Sequence, residues 1–197
     1  MTPDGSVTPR ITYRVRAARL DDVGQLSELL VTSFYPPTGW LRWAYPILRL
    51  SISEELRHRL RSPKSPYACL TAISCDASQP SGTDKLVGTV ELSRRSHWPW
   101  QLPQYGQIYI SNLAVGLRYR RRGIALRLLK ACETVARDWG FDHLYLHVME
   151  DNWDARQLYH KAGFHLQQAE STPLSVLGLQ PRRLLLKKVL GSSSQIP

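Results

Sequence analysis

The stretch that most limits how this chain can fold lies in its middle. Gln107 to Val115 is an apolar, β-favouring run, Arg118 to Arg122 hold four arginines, and apolar residues then recur at helical spacing to about Trp139, where Gly140 ends the pattern. A strand therefore leads through a basic loop into a helix. Backbone N–H groups at a helix start lack partners and carry partial positive charge, so four cations placed there oppose the helix dipole. An anion seated among them removes the conflict. In the loop Arg120-Arg121-Arg122-Gly123-Ile124-Ala125, the small Gly123 and Ala125 let phosphate oxygens approach the backbone, while Arg120 and Arg122 add charge-assisted hydrogen bonds. Taken alone, the same residues also describe a helix start that is merely basic.

A second stretch, Leu144 to Phe164, reads LYLHVMEDNWDARQLYHKAGF. A short strand, His143 to Val148, precedes a helix from Asn152 to Lys161 that Ala162-Gly163 ends. Asn152, Ala155 and Tyr159 stand at i, i+3 and i+7 and share one helix face, so one ligand can meet all three. An ordinary amphipathic helix with Asn152 as N-cap accounts for each residue singly.

The flanking sequence supplies the rest of one domain. Ile11 to Ala17 reads as a strand, and Asp21 or Asp22 can cap a helix bearing Val23, Leu26, Leu29 and Leu30. SFYPPTGWLRWAYP reads as an aromatic loop, after which Pro46 opens a second helix through Leu60. On that helix Arg57, His58, Arg59 and Arg61 form a basic face expected to be solvated. Tyr67 to Ser74 and Leu86 to Leu92 suggest a hairpin, and Phe164 onward returns to extended character, ending in Arg183 to Val189. Residues 1–10 are a polar lead, 11–190 one domain and 191–197 a Ser-rich tail.

Composition narrows the partners. Lys and Arg number 26 against 16 Asp and Glu, a formal charge of +10 that favours an anionic partner: nucleic acid, membrane surface or phosphorylated cofactor. Helix-turn-helix and RNP-type signatures are lacking, and the aromatics sit in Pro-rich loops, so nucleic acid is not the expected partner. Neither a bilayer-spanning apolar run nor a signal-peptide centre is present, and a soluble cytoplasmic protein without membrane contact is expected. Cys69, Cys75 and Cys132 lack metal-ligand spacing, which points to reduced thiols and no metal.

In their order and separation the two stretches resemble the GNAT superfamily of acyl-CoA N-acyltransferases. The likeness rests on R-x-x-G-x-A at Arg120, Gly123 and Ala125, on N-x-x-A-x-x-L-Y at Asn152, Ala155, Leu158 and Tyr159, and on Gly163-Phe164. It runs from Ile11 to about Val189. It implies an α+β fold: a mixed, mostly antiparallel sheet splayed into a V between the strand ending at Val115 and the strand His143 to Val148, flanked by about four helices. Acetyl-CoA is then expected in the V as co-substrate, its pantetheine along Leu113, Ala114 and Val115 and its pyrophosphate on Arg120, Arg121, Arg122, Gly123, Ile124 and Ala125. Asn152, Ala155 and Tyr159 complete the cofactor-binding set.

The resemblance also implies roles. An amine attacks a thioester only when unprotonated, so a group or water must take its proton, and a hydroxyl donating to sulfur helps the thiolate leave. Tyr159 matches the family's donor. The run YISNLAVGLRYRRRGIA followed by YLHV is similar to the catalytic subunit of the N-terminal acetyltransferase E complex, which implies that Tyr109 and His147 hold a proton-relaying water. Glu91 on the neighbouring strand is the competing base. Tyr35, Pro36 and Tyr109, with the segment Glu170 to Arg182, are expected to border the acceptor. The sequence is also similar to plastid and cyanobacterial GNAT enzymes that act on lysine side chains and protein N-termini. A protein or peptide amine is therefore the expected acceptor, in a bacterial cytosol of cyanobacterial kind or a plastid stroma. A small arylalkylamine is the alternative acceptor, and a nucleic-acid-binding module the remote one.

Overall fold

The computed structural model describes residues 12–35, 41–62, 66–75, 85–95, 106–171, 175 and 179–191. Along the chain run β1 (Thr12–Ala17), α1 (Val23–Phe34), α2 (Leu41–Arg61), β2 (Tyr67–Cys75), β3 (Lys85–Arg95), β4 (Gln107–Val115), α3 (Ile124–Asp138), β5 (His143–Met149), α4 (Trp153–Lys161), β6 (His165–Glu170) and β7 (Arg183–Val189). The strands form one seven-stranded sheet in the order β1-β2-β3-β4-β5-β7-β6. Every adjacent pair is antiparallel except β4 and β5, which are parallel. This is the expected α+β sheet, with α1 to α4 around it among the described residues.

Both faces of the sheet are covered. Ile124, Leu128, Leu129, Cys132 and Ala136 follow helical spacing on α3 and share a buried cluster with Leu144, Leu146 and Val148, the alternate residues of β5. On α1, Val23, Leu26 and Leu30 join Leu56 of α2 in a second cluster with Cys69, Ile73, Leu86 and Ala114. Gly88 sets the approach of α3. A Cβ there would meet the Ala114 carbonyl oxygen, Ile124 Cγ2 and Leu128 Cδ1, each at 3.2 Å, so a side chain would have to push these neighbours back by a few tenths of an ångström.

The start of α1 is pinned by charge. Arg16 on β1 donates from Nη1 and Nη2 to the two carboxylate oxygens of Asp22 at 2.7 and 2.9 Å, and the Arg19 N–H donates to the same carboxylate at 2.7 Å. Burial works to raise the Asp22 pKa, but these hydrogen bonds and the Arg16 charge hold it below the usual carboxylate range. Asp22 stands at the N-cap position of α1, with its carboxylate turned to Arg16 and Arg19 instead of to the N–H groups of the helix.

Two expectations need correction. The second helix opens at Leu41, not Pro46; the prolines and glycine at 36, 37 and 39 precede it, and Pro46 lies inside it, where it cannot donate to the carbonyl one turn back. The basic face of that helix is not uniformly solvated either, because Arg59 reaches inward to Glu91 on β3. Ile11 and Pro36 lie outside the described residues.

Candidate active site

A gap in the sheet defines the site. β4 and β5 pair only through Ile108 with Leu144, Tyr109 with Tyr145 and Ile110 with Leu146, yet β4 continues to Val115 and β5 to Met149. Beyond Ile110 the two strands part, which is the expected V. On its other side β4 stays paired to β3, with a bulge: Thr89 and Glu91 oppose Ala114 and Ser111, so β4 carries an extra residue around Asn112 and Leu113. Asn112 adopts a left-handed φ of 52°, which Asn tolerates better than most residues. The edge of β4 from Ser111 to Val115 thus presents backbone groups without a strand partner on the V side. An extended, amide-containing chain such as pantetheine fits such an edge.

At the end of that edge lies the basic loop. Gly123, the N-cap of α3, has φ 76°, and a Cβ built there meets no atom within 4 Å. Arg121 is also left-handed, at φ 61°. Open space in front of a helix start, with unpaired N–H groups behind it, fits a pyrophosphate. The arginines divide their tasks more than the sequence implied. Arg120 donates from Nε to the Val115 carbonyl at 3.2 Å, and Arg122 from Nη1 to the Tyr13 hydroxyl at 3.0 Å. Arg121 extends across to Asp154 at the start of α4, 3.8 Å away, with both side chains almost fully exposed. The sequence singles out Arg120 and Arg122 for the phosphate but does not show these protein partners, because Tyr13 lies more than a hundred residues away.

On α4 the Asn152 side-chain oxygen accepts from the Ala155 N–H at 3.2 Å, capping the helix. The cap leaves the Asn152 amide N–H₂ as its remaining donor group. Tyr159 is 9% exposed, packs edge-on against Phe164 with ring centres 6.0 Å apart, and shares a buried cluster with the inner residues of β5. Burial pushes its pKa up to about 12, so the phenol keeps its proton at any physiological pH.

Tyr109 and His147 come together as the sequence implied. Tyr109 is the register partner of Tyr145, and His147, two residues on, lies on the same face; the Tyr109 ring stacks on His147 at 5.7 Å and on Tyr145 at 5.8 Å. The partners of His147 are a finding of the structure. Arg183 Nη2 lies 3.0 Å from His147 Nδ1, and Nε2 lies 3.1 Å from Glu170 Oε1. A guanidinium only donates, so Nδ1 is the accepting nitrogen and Nε2 carries the hydrogen that Glu170 accepts. Both partners come from β6 and β7, late strands whose register the sequence does not reveal.

On the α1 and α2 side of the sheet, a cavity of about 430 Å³ is lined by Leu30, Phe34, Tyr35, Ile52, Glu55, Leu56, Arg59, Glu91 and Asn112. Tyr35, expected to border the acceptor, lines this cavity; residues 172–174 and 176–178 of the other expected border lie outside the described residues. Glu91, 1% exposed, accepts from Arg59 Nη1 at 2.8 Å through Oε2 and from Asn112 Nδ2 at 2.9 Å through Oε1. Arg59 also donates to Glu55 one helical turn back. Beside Glu91 the Tyr67 hydroxyl is buried without a well-formed hydrogen bond, its pKa raised by burial and by the Glu91 charge. Nothing in a linear pattern pairs Arg59, Asn112 or Tyr67 with Glu91, and the sequence alone does not place them at a site. Burial, then the nearby Glu91 charge, pushes the Cys69 thiol up to about 12, so it stays a thiol rather than a nucleophilic thiolate. Among the described residues no group of three or more His, Cys, Asp or Glu is placed to hold a metal.

Comparison with known proteins agrees with this geometry. Residues 36–164 match the model of the acetyltransferase (GNAT) family. The chain is 28% identical over 176 residues to GCN5-related N-acetyltransferase 10, chloroplastic, of Arabidopsis thaliana, covering 85% of this chain and 68% of that one. It is 35% identical over 117 residues to GCN5-related N-acetyltransferase 7, chloroplastic, of the same plant, covering 55% of this chain but only 43% of the relative. In fold it is similar to the PaiA N-acetyltransferase of Thermoplasma acidophilum, solved in complex with coenzyme A, with a TM-score of 0.65 at 17% identity over 90% of this chain and 99% of that one. The chain belongs to the GNAT family of acetyltransferases, enzymes whose acetyl donor is acetyl-CoA.

Proposed function

We propose that the chain transfers the acetyl group of acetyl-CoA directly to a protein amine, a lysine side chain or a free N-terminus. The carrying observation is the parted edge of β4 that runs into the open helix start at Gly123. Acetyl-CoA supplies an activated thioester. The β4 edge from Leu113 to Val115 holds the pantetheine amides, and the first turn of α3 with Arg121 and Arg122 holds the pyrophosphate. The Asn152 amide and the small face at Ala155 border the same groove. In the transfer the amine nitrogen bonds to the acetyl carbon, the carbon–sulfur bond breaks, and the thiolate leaves with a hydrogen bond from the buried Tyr159 hydroxyl. The amine's proton leaves through a water held beside the stacked Tyr109 and His147.

One observation favours Glu91 as proton acceptor instead. It lines the cavity bordered by Tyr35, whereas Tyr109 and His147 do not. The size of that cavity and its aromatic rim support a peptide-borne amine entering from the α1 and α2 side. The chloroplastic relatives support a plastid as the compartment.

Incubation with isotope-labelled acetyl-CoA and a peptide mixture, followed by mass spectrometry, tests the reading. Label on lysine side chains or N-termini is expected. Rapid turnover of a free arylalkylamine with no labelled peptide overturns the protein-amine assignment.

A further inference from the structure

The floor of the cavity holds a cation already. Arg59 lies between two carboxylates, the buried Glu91 and the exposed Glu55, whose side chain is 60% accessible. A carboxylate as buried as Glu91 stays ionised only with a compensating partner, and its neighbours Asn112 and Tyr67 are neutral. Counted together, Glu55, Glu91 and Arg59 leave the cavity lining one negative charge, in a chain whose formal charge is +10. A carboxylate-bearing ligand is disfavoured there, and an ammonium is favoured.

We propose that Arg59 is a resident substitute for the acceptor's ammonium: a cationic primary alkylamine of the lysine side-chain type displaces the guanidinium from Glu91, and Arg59 withdraws onto Glu55. The cavity as acceptor site rests on the acetyltransferase reading above. Its chemistry is suited to such a group in three respects. Leu30, Ile52 and Leu56 provide an apolar wall for methylenes. Glu91 Oε2, released by Arg59, accepts one ammonium hydrogen at the cavity lining. The retreat is already in place, because Arg59 and Glu55 are one turn apart on α2 and in contact. The exchange conserves one cation at Glu91, so no buried charge is left bare. Arg59 then acts as a competitor for the acceptor site and sets its selectivity for charged amines.

Steady-state acetylation of Nα-acetyl-lysine methylamide and of O-methylhydroxylamine, an amine that is neutral at pH 8, tests the proposal alongside acetyl-CoA binding by calorimetry. Arg59→Met is expected to lower KM for the lysine derivative about tenfold, with KM for the neutral amine unchanged. Glu55→Gln, at an exposed position that does not threaten folding, takes away the retreat and is expected to raise KM for the lysine derivative two- to fivefold. An unchanged KM in Glu55→Gln, or a folded Arg59→Met whose KM for the lysine derivative is unchanged or higher, overturns the proposal, as does an equal fall for the neutral amine. If Arg59→Met does not fold, the Glu55→Gln result decides. Loss of acetyl-CoA binding in the wild-type protein would instead sink the acetyltransferase reading, so the two failures are told apart.

Discussion

Arg183 Nη2 donates to His147 Nδ1 across 3.0 Å, and this contact decides which ring nitrogen carries the proton. With Nδ1 accepting, the hydrogen sits on Nε2 and faces Glu170. The two contacts hold the ring in one orientation against Tyr109. Replacing Arg183 by Leu removes the donor at Nδ1 and loosens that orientation. If Tyr109 and His147 hold the water that carries the amine's proton away, His147→Ala is expected to lower kcat about a hundredfold and Arg183→Leu about tenfold, with the acetyl-CoA dissociation constant unchanged. Wild-type kcat in both variants would leave Glu91 as the proton acceptor.

Tyr159 is an acid kept intact by burial. Its pKa of about 12 means that loss of activity on the alkaline side below that pH does not come from this phenol. Tyr159→Phe keeps the ring against Phe164 and removes only the donor, so kcat is expected to fall about a hundredfold while the acetyl-CoA dissociation constant holds. Single-turnover kinetics with calorimetry separate the two effects.

Gly123 is required for its backbone and not for its packing. A Cβ meets nothing there, but φ of 76° costs an L-residue about 1 kcal/mol. Gly123→Val is therefore expected to lower stability by about that amount or more, because of its β-branch, and to raise KM for acetyl-CoA by crowding the phosphate approach. Arg122→Ala is expected to raise that KM also, partly through loss of its bond to Tyr13. Thermal melts with and without CoA check both: the variants should gain less from the ligand than wild type.

Much of the frame was legible because local chemistry marks it. Gly140 and Gly163, both left-handed, end α3 and α4 where the pattern stops, and Asn152 caps α4. Tyr109 and His147 could be paired in advance only through the family resemblance, since neither strand by itself names its neighbour. Other features depend on register or on distant partners. The start of α2 was hidden because prolines and a glycine just upstream made an aromatic helix look like a loop. Arg59 looked solvated since its neighbours Arg57, His58 and Arg61 are exposed, and only the packing of α2 over β3 brings it to Glu91. The bulge at Asn112 needs the pairing of two strands to be visible, and so do the partners of His147.

Asp22 ties the frame to the cavity. Its folded pKa lies below the usual value near 3.9, so the unfolded chain binds its proton first as pH falls. The Arg16–Asp22 pair therefore contributes its full stability above about pH 4 to 5, and that contribution is lost as pH drops through the folded value. Asp22→Asn leaves Arg16 without its carboxylate and is expected to cost about 3 kcal/mol at neutral pH. Urea unfolding of both proteins between pH 7 and 3 should show the gap narrowing toward the acid end; a constant gap would mean that the carboxylate's charge is not what stabilises the contact. Because Asp22 fixes the first turn of the helix that carries Leu30 and Phe34 to the cavity wall, the same variant should raise the acceptor KM more than the acetyl-CoA KM. A variant that shifts both equally would place the effect in the whole sheet and not in α1.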